Sequence, residues 1–201
     1  MKENKFYEIC KELYEVDEVK DYEFFNVDEK RLNLQGVDIN KCSFKNCKIT
    51  DFNFENSSFS NIEFQNCDFS NSKFVGTTFV RVTFKNCKLI GCDFTESSLY
   101  DIKIEESNLK YINLNLSVLK NTIINKSNLQ NSSISEVKLK NVNFKENDFE
   151  NSQLFRTNLK NIDFRTCNIG GIIVGLEDIK GMIVNNMQAI QLSKLLGIVI
   201  K

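Results

Sequence analysis

Cysteine is the residue of this chain with the strongest affinity for metal ions, and the cysteine spacing decides whether a metal site is expected. The 201-residue chain has seven cysteines and no histidine. Cys47, Cys67 and Cys87 are twenty residues apart, so a metal ladder would need a fold that repeats every twenty residues. Zinc sites usually use cysteines two to four residues apart, often with histidine, and no such pair occurs here. We expect no metal and no cofactor.

Carboxylate pairs are the remaining candidates for catalysis. Glu105 and Glu106 are adjacent, but a solvated surface explains them more simply than an acid–base pair. The sequence has no glycine-rich phosphate loop and no nucleophile beside a base. We predict that the protein is not an enzyme and has no catalytic residues.

Large apolar residues recur every five positions, and this spacing predicts the secondary structure of the chain. Every fifth position from Leu34 to Ile169 is Phe, Leu or Ile. A helix would wind such residues around its axis, and a flat strand would send them to alternate faces. The chain must therefore turn once in every five residues, and four short sides close a coil of about twenty residues.

Two other positions of each block agree with a narrow coil. The residue two before the large one is mostly Cys, Ser or Thr, and six of the seven cysteines occupy it, leaving only Cys10 outside the repeat. Small residues alternating with large ones fill an interior without voids. Asn is frequent two residues after the large one, where it favours turns. The absence of Pro suits a backbone whose N–H groups bond to the next coil.

The two ends of the chain predict caps, because a stacked coil leaves unpaired backbone groups at each terminus. At the N-terminus, Phe6, Ile9, Cys10, Leu13 and Tyr14 form an apolar stripe at helical spacing. At the C-terminus we predict a helix over residues 186–196, a stop at Gly197 and a short strand over residues 198–200. This division gives a cap over 1–31, a repeat over 32–174 and a capping and dimerisation segment over 175–201.

The blocks CDFSN, SNLKY, SNLQN and TNLKN match the motif of the pentapeptide-repeat family: a small residue, Asp or Asn, Leu or Phe, and two variable positions. The resemblance covers at least residues 32–171. It implies an all-β fold, a right-handed quadrilateral parallel β-helix, with an N-terminal capping helix and a C-terminal dimerisation helix and strand. The handedness comes from the resemblance and not from the spacing.

The C-terminal segment QAIQLSKLLGIVIK resembles the dimerisation helix and strand of Qnr-type pentapeptide-repeat proteins. Those proteins dimerise tail to tail, imitate DNA, bind DNA gyrase and topoisomerase IV, and protect them from quinolones. The resemblance therefore implies a role in quinolone resistance and a homodimer. The projecting loops of the enterobacterial members are missing, because the frame runs unbroken. The dimer-interface residues expected here are Met187, Ile190, Leu192, Leu195, Leu196, Ile198, Val199 and Ile200.

Charge limits the DNA-mimic interpretation, since imitation of a polyanion requires a negative surface. The chain has 26 basic and 27 acidic residues, and the acidic excess lies in residues 1–31. An acidic band is the candidate partner-binding surface within the repeat, and a mixed-charge surface is the alternative. Its residues are Asp93, Glu96, Asp101, Glu105 and Glu106.

Two other functions stay open on the sequence alone. A scaffolding rod that binds another protein would suit the weak net charge. A nucleic-acid binder would use Lys120, Lys138, Lys140 and Lys160, but the aromatic residues face inward, so we expect no direct binding of nucleic acid. No apolar run is long enough to cross a bilayer and no N-terminal signal is evident, so we expect a cytoplasmic protein without membrane contact.

Overall fold

Short parallel strands and two α-helices make up the described part of the chain. The structure, a computed structural model, describes residues 6–13 and 18–199, with only the backbone of residues 11–13. Helix α1 is Phe6–Leu13 and helix α2 is Asn186–Ser193, followed by a 3-10 turn over Lys194–Leu196. The strands are β1 (Val19–Lys20), β2 (Glu23–Phe25), β3 (Asp28–Lys30), β4 (Asp38–Asn40), β5 (Ser43–Lys45), β6 (Lys48–Thr50), β7 (Ser58–Gln65), β8 (Thr78–Lys85), β9 (Ser98–Tyr100), β10 (Lys103–Glu105), β11 (Val118–Asn125) and β12 (Lys138–Lys145).

Parallel pairing at a separation of twenty residues organises these strands into a solenoid. Phe59 lies opposite Phe79 in the β7–β8 pair, and Leu119 lies opposite Leu139 in the β11–β12 pair. Sides too short to form strands keep the same register, as in the bridge between Asn53 and Lys73. The parallel β-solenoid with twenty residues per coil, predicted from the five-residue spacing, is confirmed.

Left-handed backbone conformation at the corners turns the chain after each block. The corner residues other than glycine have φ between 50° and 64°, and the corner glycines Gly36, Gly76 and Gly91 have φ of 65° to 69°. Most corners in the first half of the repeat are Asn or Gly. Asn side chains also bond along the corner: Asn86 donates to Asn66 at 2.8 Å and Asn66 donates to Asn46 at 3.1 Å. Tyr111 and Leu116 adopt the same φ at a cost of about 1–2 kcal/mol each for a side chain of this kind.

Stacked side chains fill the interior. Phe54, Phe74 and Phe94 form one column with ring centroids 5.2 and 4.7 Å apart. The small inward residues do more than fill space, because their hydroxyl and thiol groups donate to carbonyl groups of the preceding coil. Thr77 Oγ1 lies 2.7 Å from the carbonyl oxygen of Phe54, so the residue type at this position is set by hydrogen bonding as well as by size.

Helix α1 closes the N-terminal end of the solenoid. Phe6 is buried and packs edge-on against Phe24 and Phe44, with centroids 5.1 and 5.3 Å away. The predicted apolar stripe is confirmed for Phe6 and Cys10, which are buried; the side chain of Leu13 and all of Tyr14 lie outside the described residues.

Parallel pairing begins at Val19, which lies opposite Ile39, and therefore before the boundary at residue 32 that the sequence predicts. The five-residue frame is hidden there because Glu29 occupies an inward position. Its carboxylate accepts a hydrogen bond from the Tyr7 N–H at 3.0 Å, next to the N-terminal turn of α1, where negative charge is favourable.

Helix α2 covers the C-terminal end. Asn185 caps it: the Asn185 side chain accepts from the Gln188 N–H, and the Gln188 side chain accepts from the Asn185 N–H. The buried Gln188 amide also donates to the carbonyl oxygens of Phe164 and Cys167 at 2.7 and 2.8 Å. The predicted helix and the left-handed stop at Gly197 are confirmed. Ile198 and Val199 form no strand within the chain, contrary to the prediction, because no neighbouring segment pairs with them.

Truncation of a stacked ring should test the interior. We expect Phe74→Ala to lower the free energy of unfolding by about 3–5 kcal/mol, since it leaves a cavity between two rings that cannot close it. Phe25→Ala is the matched control, because Phe25 is 45% exposed and should change stability by less than about 1 kcal/mol. Urea titrations followed by circular dichroism measure both variants, and equal losses would contradict the columnar core.

Candidate partner-binding surfaces

The five predicted acidic residues form a belt around one coil and do not gather on one side. Glu96 and Asp101 are the corners before and after β9, and Glu106 is the corner after β10. Asp93 belongs to the side before Glu96, and Glu105 ends β10. The coil thus turns three corners between the first and last carboxylates, so a flat partner would meet only part of the belt.

Local hydrogen bonds and ion pairs engage three of these carboxylates. Asp93 accepts from the N–H and hydroxyl of Thr95 at 3.0 and 2.6 Å. Asp101 accepts from Asn121 at 2.9 Å, and Glu105 pairs with Lys103 at 2.9 Å. In the described part of the chain the side chains of Glu96 and Glu106 make no hydrogen bond or ion pair, so these two are the most available to a partner.

Basic residues of the neighbouring coils lie beside the belt. The parallel register places Lys73 opposite Asp93 and Lys85 opposite Glu105. Adjacent coils are about 4.8 Å apart, well within the screening length of roughly 8–10 Å at physiological salt. The field of the belt is therefore partly neutralised by the coil before it, a feature that net charge alone does not reveal.

An exposed apolar surface surrounds the C-terminal end and includes most of the predicted dimer-interface residues. Met187 is 69% exposed and Val199 is 80% exposed, and Leu192 is half-buried. Ile200 lies outside the described residues. Three further apolar side chains of the last coil are exposed. The sequence does not predict them, since they occupy outward positions of the repeat. The exposed set is Met187, Ile190, Leu195, Leu196, Ile198 and Val199, with Ile173, Leu176 and Ile183 as the additions.

The three cysteines whose spacing would suit a metal ladder are stacked in the interior. The thiols of Cys47, Cys67 and Cys87 donate to the carbonyl oxygens of the preceding coil at 3.4 Å. Among the described residues no group of three or more metal-ligating side chains is arranged to bind a metal ion. The three thiols therefore act as small buried donors, as Ser and Thr do elsewhere in the column.

Burial and thiol–thiol hydrogen bonds control cysteine ionisation. A hydrogen bond with Cys47 lowers the pKa of Cys67, but the bond with Cys87 and burial outweigh it and raise the pKa to about 12. Burial raises the pKa of the Cys10 and Cys92 thiols. The hydrogen bond with Cys67 lowers the pKa of Cys87.

Four lysines form a basic surface on the side that contains β11 and β12. The parallel register places Lys120 directly opposite Lys140, and Lys160 follows twenty residues later. All of Lys120, Lys138, Lys140 and Lys160 are exposed, and none has an ion-pair partner among the described residues. Of the two charged surfaces that the sequence predicts, this one has more side chains that make no hydrogen bond or ion pair within the described part of the chain.

Among the described residues, no helix has the length and apolar composition needed to span a membrane.

Two family models match most of this architecture. The model described as a pentapeptide repeat region matches residues 19–91 and 37–114, and the model described as pentapeptide repeats (8 copies) matches residues 132–171. Together they cover more than half of the chain. The first match begins at the residue where parallel pairing begins. No curated protein sequence matches the chain significantly.

Solved structures with a similar fold include proteins with different roles. A trypsin-treated variant of QnrB1, a plasmid-mediated fluoroquinolone resistance protein, is 18% identical; the match covers 90% of this chain and 99% of that one, with a TM-score of 0.47. HetL, which is involved in heterocyst differentiation regulation in the cyanobacterium Nostoc sp. strain PCC 7120, is 12% identical over 87% and 95% of the two chains, with a TM-score of 0.36. Identities and TM-scores as low as these assign no function to the chain.

Thiol reactivity should report the buried cysteine columns. All seven thiols are buried, so we expect iodoacetamide at pH 8 to leave the folded protein almost unmodified and to modify all seven in urea. Mass spectrometry of timed samples measures the extent of modification, with the protein in urea as the control; fast reaction of Cys67 in the folded state would contradict this arrangement.

Proposed function

Because this chain belongs to the pentapeptide-repeat family, we propose that it is a protein-binding rod that binds DNA gyrase and topoisomerase IV as a DNA mimic and protects them from quinolones. The observation that carries the proposal is the C-terminal segment QAIQLSKLLGIVIK, which resembles the dimerisation segment of Qnr-type proteins. Its helix, left-handed glycine and extended apolar end stand exposed on the last coil. A tail-to-tail homodimer would bury these side chains and lengthen the rod.

The dimer has a physical basis in the exposed end. Apolar patches of this kind on a soluble protein usually mark an interface, and a two-fold contact would place each patch against its own copy. The residues without strand pairing, Ile198 and Val199, could then pair with the partner and satisfy their backbone groups. The dimer would also cover the open edge of the last coil, which otherwise invites uncontrolled association.

The acidic belt supplies the candidate contacts to the enzyme. Glu96 and Glu106 lack local partners, and Glu96, Asp101 and Glu106 project from corners, where a partner reaches them first. A gyrase surface built for DNA is basic and would meet them favourably. The lysines opposite the belt weaken this attraction, so we expect a modest affinity that falls with salt.

A scaffolding rod for a different protein is the second candidate. The neutralisation of Asp93 by Lys73 and of Glu105 by Lys85 favours it, because a mimic of DNA gains from an unbroken negative field. The two candidates share the solenoid and the dimer and differ in partner.

A supercoiling assay with gyrase and a fluoroquinolone separates the two functions. We expect the protein to restore supercoiling at low concentration and to inhibit it only at high concentration. A five-site amide variant should need about tenfold more protein for the same protection, equivalent to about 1.4 kcal/mol. Its substitutions are Asp93→Asn, Glu96→Gln, Asp101→Asn, Glu105→Gln and Glu106→Gln.

The matched control removes two exposed carboxylates of another coil, Glu146→Gln with Glu150→Gln, and should protect like the original protein. If the original protein neither protects nor inhibits, the gyrase proposal fails and the scaffold takes its place. If the five-site variant protects fully, the enzyme is bound elsewhere on the rod.

Charge placed in the apolar end should disrupt the dimer. We expect Met187→Asp combined with Leu196→Glu to give a species of the chain mass, 23.3 kDa, by light scattering, and the original protein to give twice that mass. Burying two carboxylates in each half of an apolar interface costs several kcal/mol. Ile123→Glu is the control, because Ile123 is also exposed but lies on β11. A dimer that survives the double substitution would exclude the tail-to-tail contact.

A further inference from the structure

The ladder of parallel hydrogen bonds is interrupted between two consecutive coils. Between residues 137–146 and residues 157–166, both described in full, no backbone-to-backbone hydrogen bond and no parallel bridge occurs. The preceding coil shows the normal arrangement, with β11 paired along β12 from Val118 opposite Lys138 to Asn125 opposite Lys145. Strand β12 therefore has one paired edge and one free edge. We call this unpaired boundary the seam.

The seam occupies only two of the four sides. On one neighbouring side the Ile134 N–H donates to the Gln153 carbonyl at 2.7 Å, and on the other the Phe149 N–H donates to the Asn168 carbonyl at 2.8 Å. Two backbone-to-side-chain bonds mark its limits: the Val137 N–H donates to Thr157 Oγ1, and the Glu146 N–H donates to Thr166 Oγ1, each at 3.1 Å. The seam is thus confined to the two sides that carry β12, and the rings of Phe144 and Phe164 still pack across it with centroids 5.5 Å apart.

Inward-facing apolar side chains are exposed along the seam. Leu139 and Val142 are only half-buried, although both occupy inward positions of the repeat. Their equivalents one coil earlier, Leu119 and Thr122, are 1% and 0% exposed. One coil later the equivalent N–H groups donate to the next coil: Leu159 to Asp178, Asn161 to Gly181 and Phe164 to Ile183. The N–H groups of Leu139, Asn141 and Phe144 have no such backbone acceptor among the described residues.

Positive charge surrounds the seam. Lys138 and Lys140 project from β12, and Lys160 projects from the opposite coil, all without ion-pair partners among the described residues. Arg165 binds both oxygens of Asp163, at 3.0 and 2.7 Å, and so neutralises that carboxylate. Lys140 and Lys160 are twenty residues apart on the two borders of the seam and are both exposed, whereas Lys145 is paired with Glu146 at 3.6 Å.

We propose that the seam accepts an extended segment of a partner protein, which pairs with the free edge of β12 and alternates acidic with apolar side chains. Strand addition to a free edge supplies main-chain hydrogen bonds, and alternate side chains supply specificity. Here the apolar side chains of the segment would cover Leu139 and Val142, and its acidic side chains would meet the lysines. The coils after residue 157 tilt about the bonded sides to admit the strand. This inference is independent of the gyrase proposal.

The seam fits a peptide better than a nucleic acid. Bases need exposed aromatic surfaces on which to stack, and Phe144 and Phe164, the aromatic residues of these two segments, are buried. Free amide donors and half-exposed aliphatic side chains are features that a strand uses and that a phosphate backbone does not. The lysines beside the seam then favour extended peptides that carry acidic side chains over those that do not.

Hydrogen exchange followed by NMR tests whether the edge is free. In the full chain we expect the amides of Leu139, Asn141 and Phe144 to exchange at least a hundredfold faster than those of Leu119, Asn121 and Ile124, their equivalents on β11. Equal protection of the two sets would show that the seam is closed in solution and would overturn the proposal.

Selection from a displayed library of random twelve-residue peptides tests the ligand chemistry. We expect recovered peptides to alternate acidic and apolar residues, to protect the three β12 amides, and to bind at least tenfold more weakly to Lys140→Glu with Lys160→Glu. Lys85→Glu is the control, because Lys85 is exposed on β8, a strand paired on both edges, and should bind them normally.

Three results would overturn the proposal: recovery of no peptides, peptides without acidic residues, or binding that leaves the β12 amides unprotected. A fluorescent DNA duplex is tested in parallel. DNA binding that is lost in the Lys140→Glu, Lys160→Glu variant, without protection of β12, would make the basic surface a phosphate-binding one instead.

Discussion

Backbone hydrogen bonds between residues twenty positions apart hold this molecule together, and the other features depend on keeping that register. Each side of a coil contributes few hydrogen bonds, and the corner after it requires a residue in the left-handed backbone conformation. Asn and Gly adopt that conformation at little cost, so corners such as Asn66 and Asn86 preserve the register while their side chains add a second ladder outside the backbone. The interior then needs one large and one small side chain per block, because the coil has a fixed width.

This dependence explains how the ends are built. A coil has a free edge of backbone groups wherever the coil twenty residues before or after it does not pair with it. The chain covers these edges in a different way at each end. Phe6 closes the first coil by packing into the phenylalanine columns, and Gln188 closes the last described coil by donating to two carbonyl groups that no further coil can reach. The seam beside β12 is a third edge, and there neither a helix nor a following coil satisfies the backbone.

The sequence predicted the repeat well because each block states the same constraint independently. The large apolar residues at every fifth position from Leu34 to Ile169 predict the coil even where the other positions of a block depart from the motif. Features that depend on a single residue were missed. Glu29 breaks the frame at an inward position, so the coil that begins at Val19 was taken for part of the cap. The seam cannot be read from the sequence, because Leu139, Phe144, Leu159 and Phe164 keep the frame across it, and its opening depends on interactions between residues twenty apart. The residues of the acidic band lie close together in the sequence, interrupted by Lys103, but the band winds around three corners in space.

Surface charge on such a rod acts in columns. Each exposed residue has neighbours twenty positions before and after it, at about one strand spacing, so its field is set by those two residues more than by the residues next to it in sequence. Asp93 beside Lys73 is weakened, whereas Lys140 between Lys120 and Lys160 is reinforced. A net charge near zero therefore hides a strong basic column and a diluted acidic belt. A partner that binds along the axis of the rod would contact lysines on one side and residues of both charges on another. The column of side chains that it contacts therefore sets its orientation.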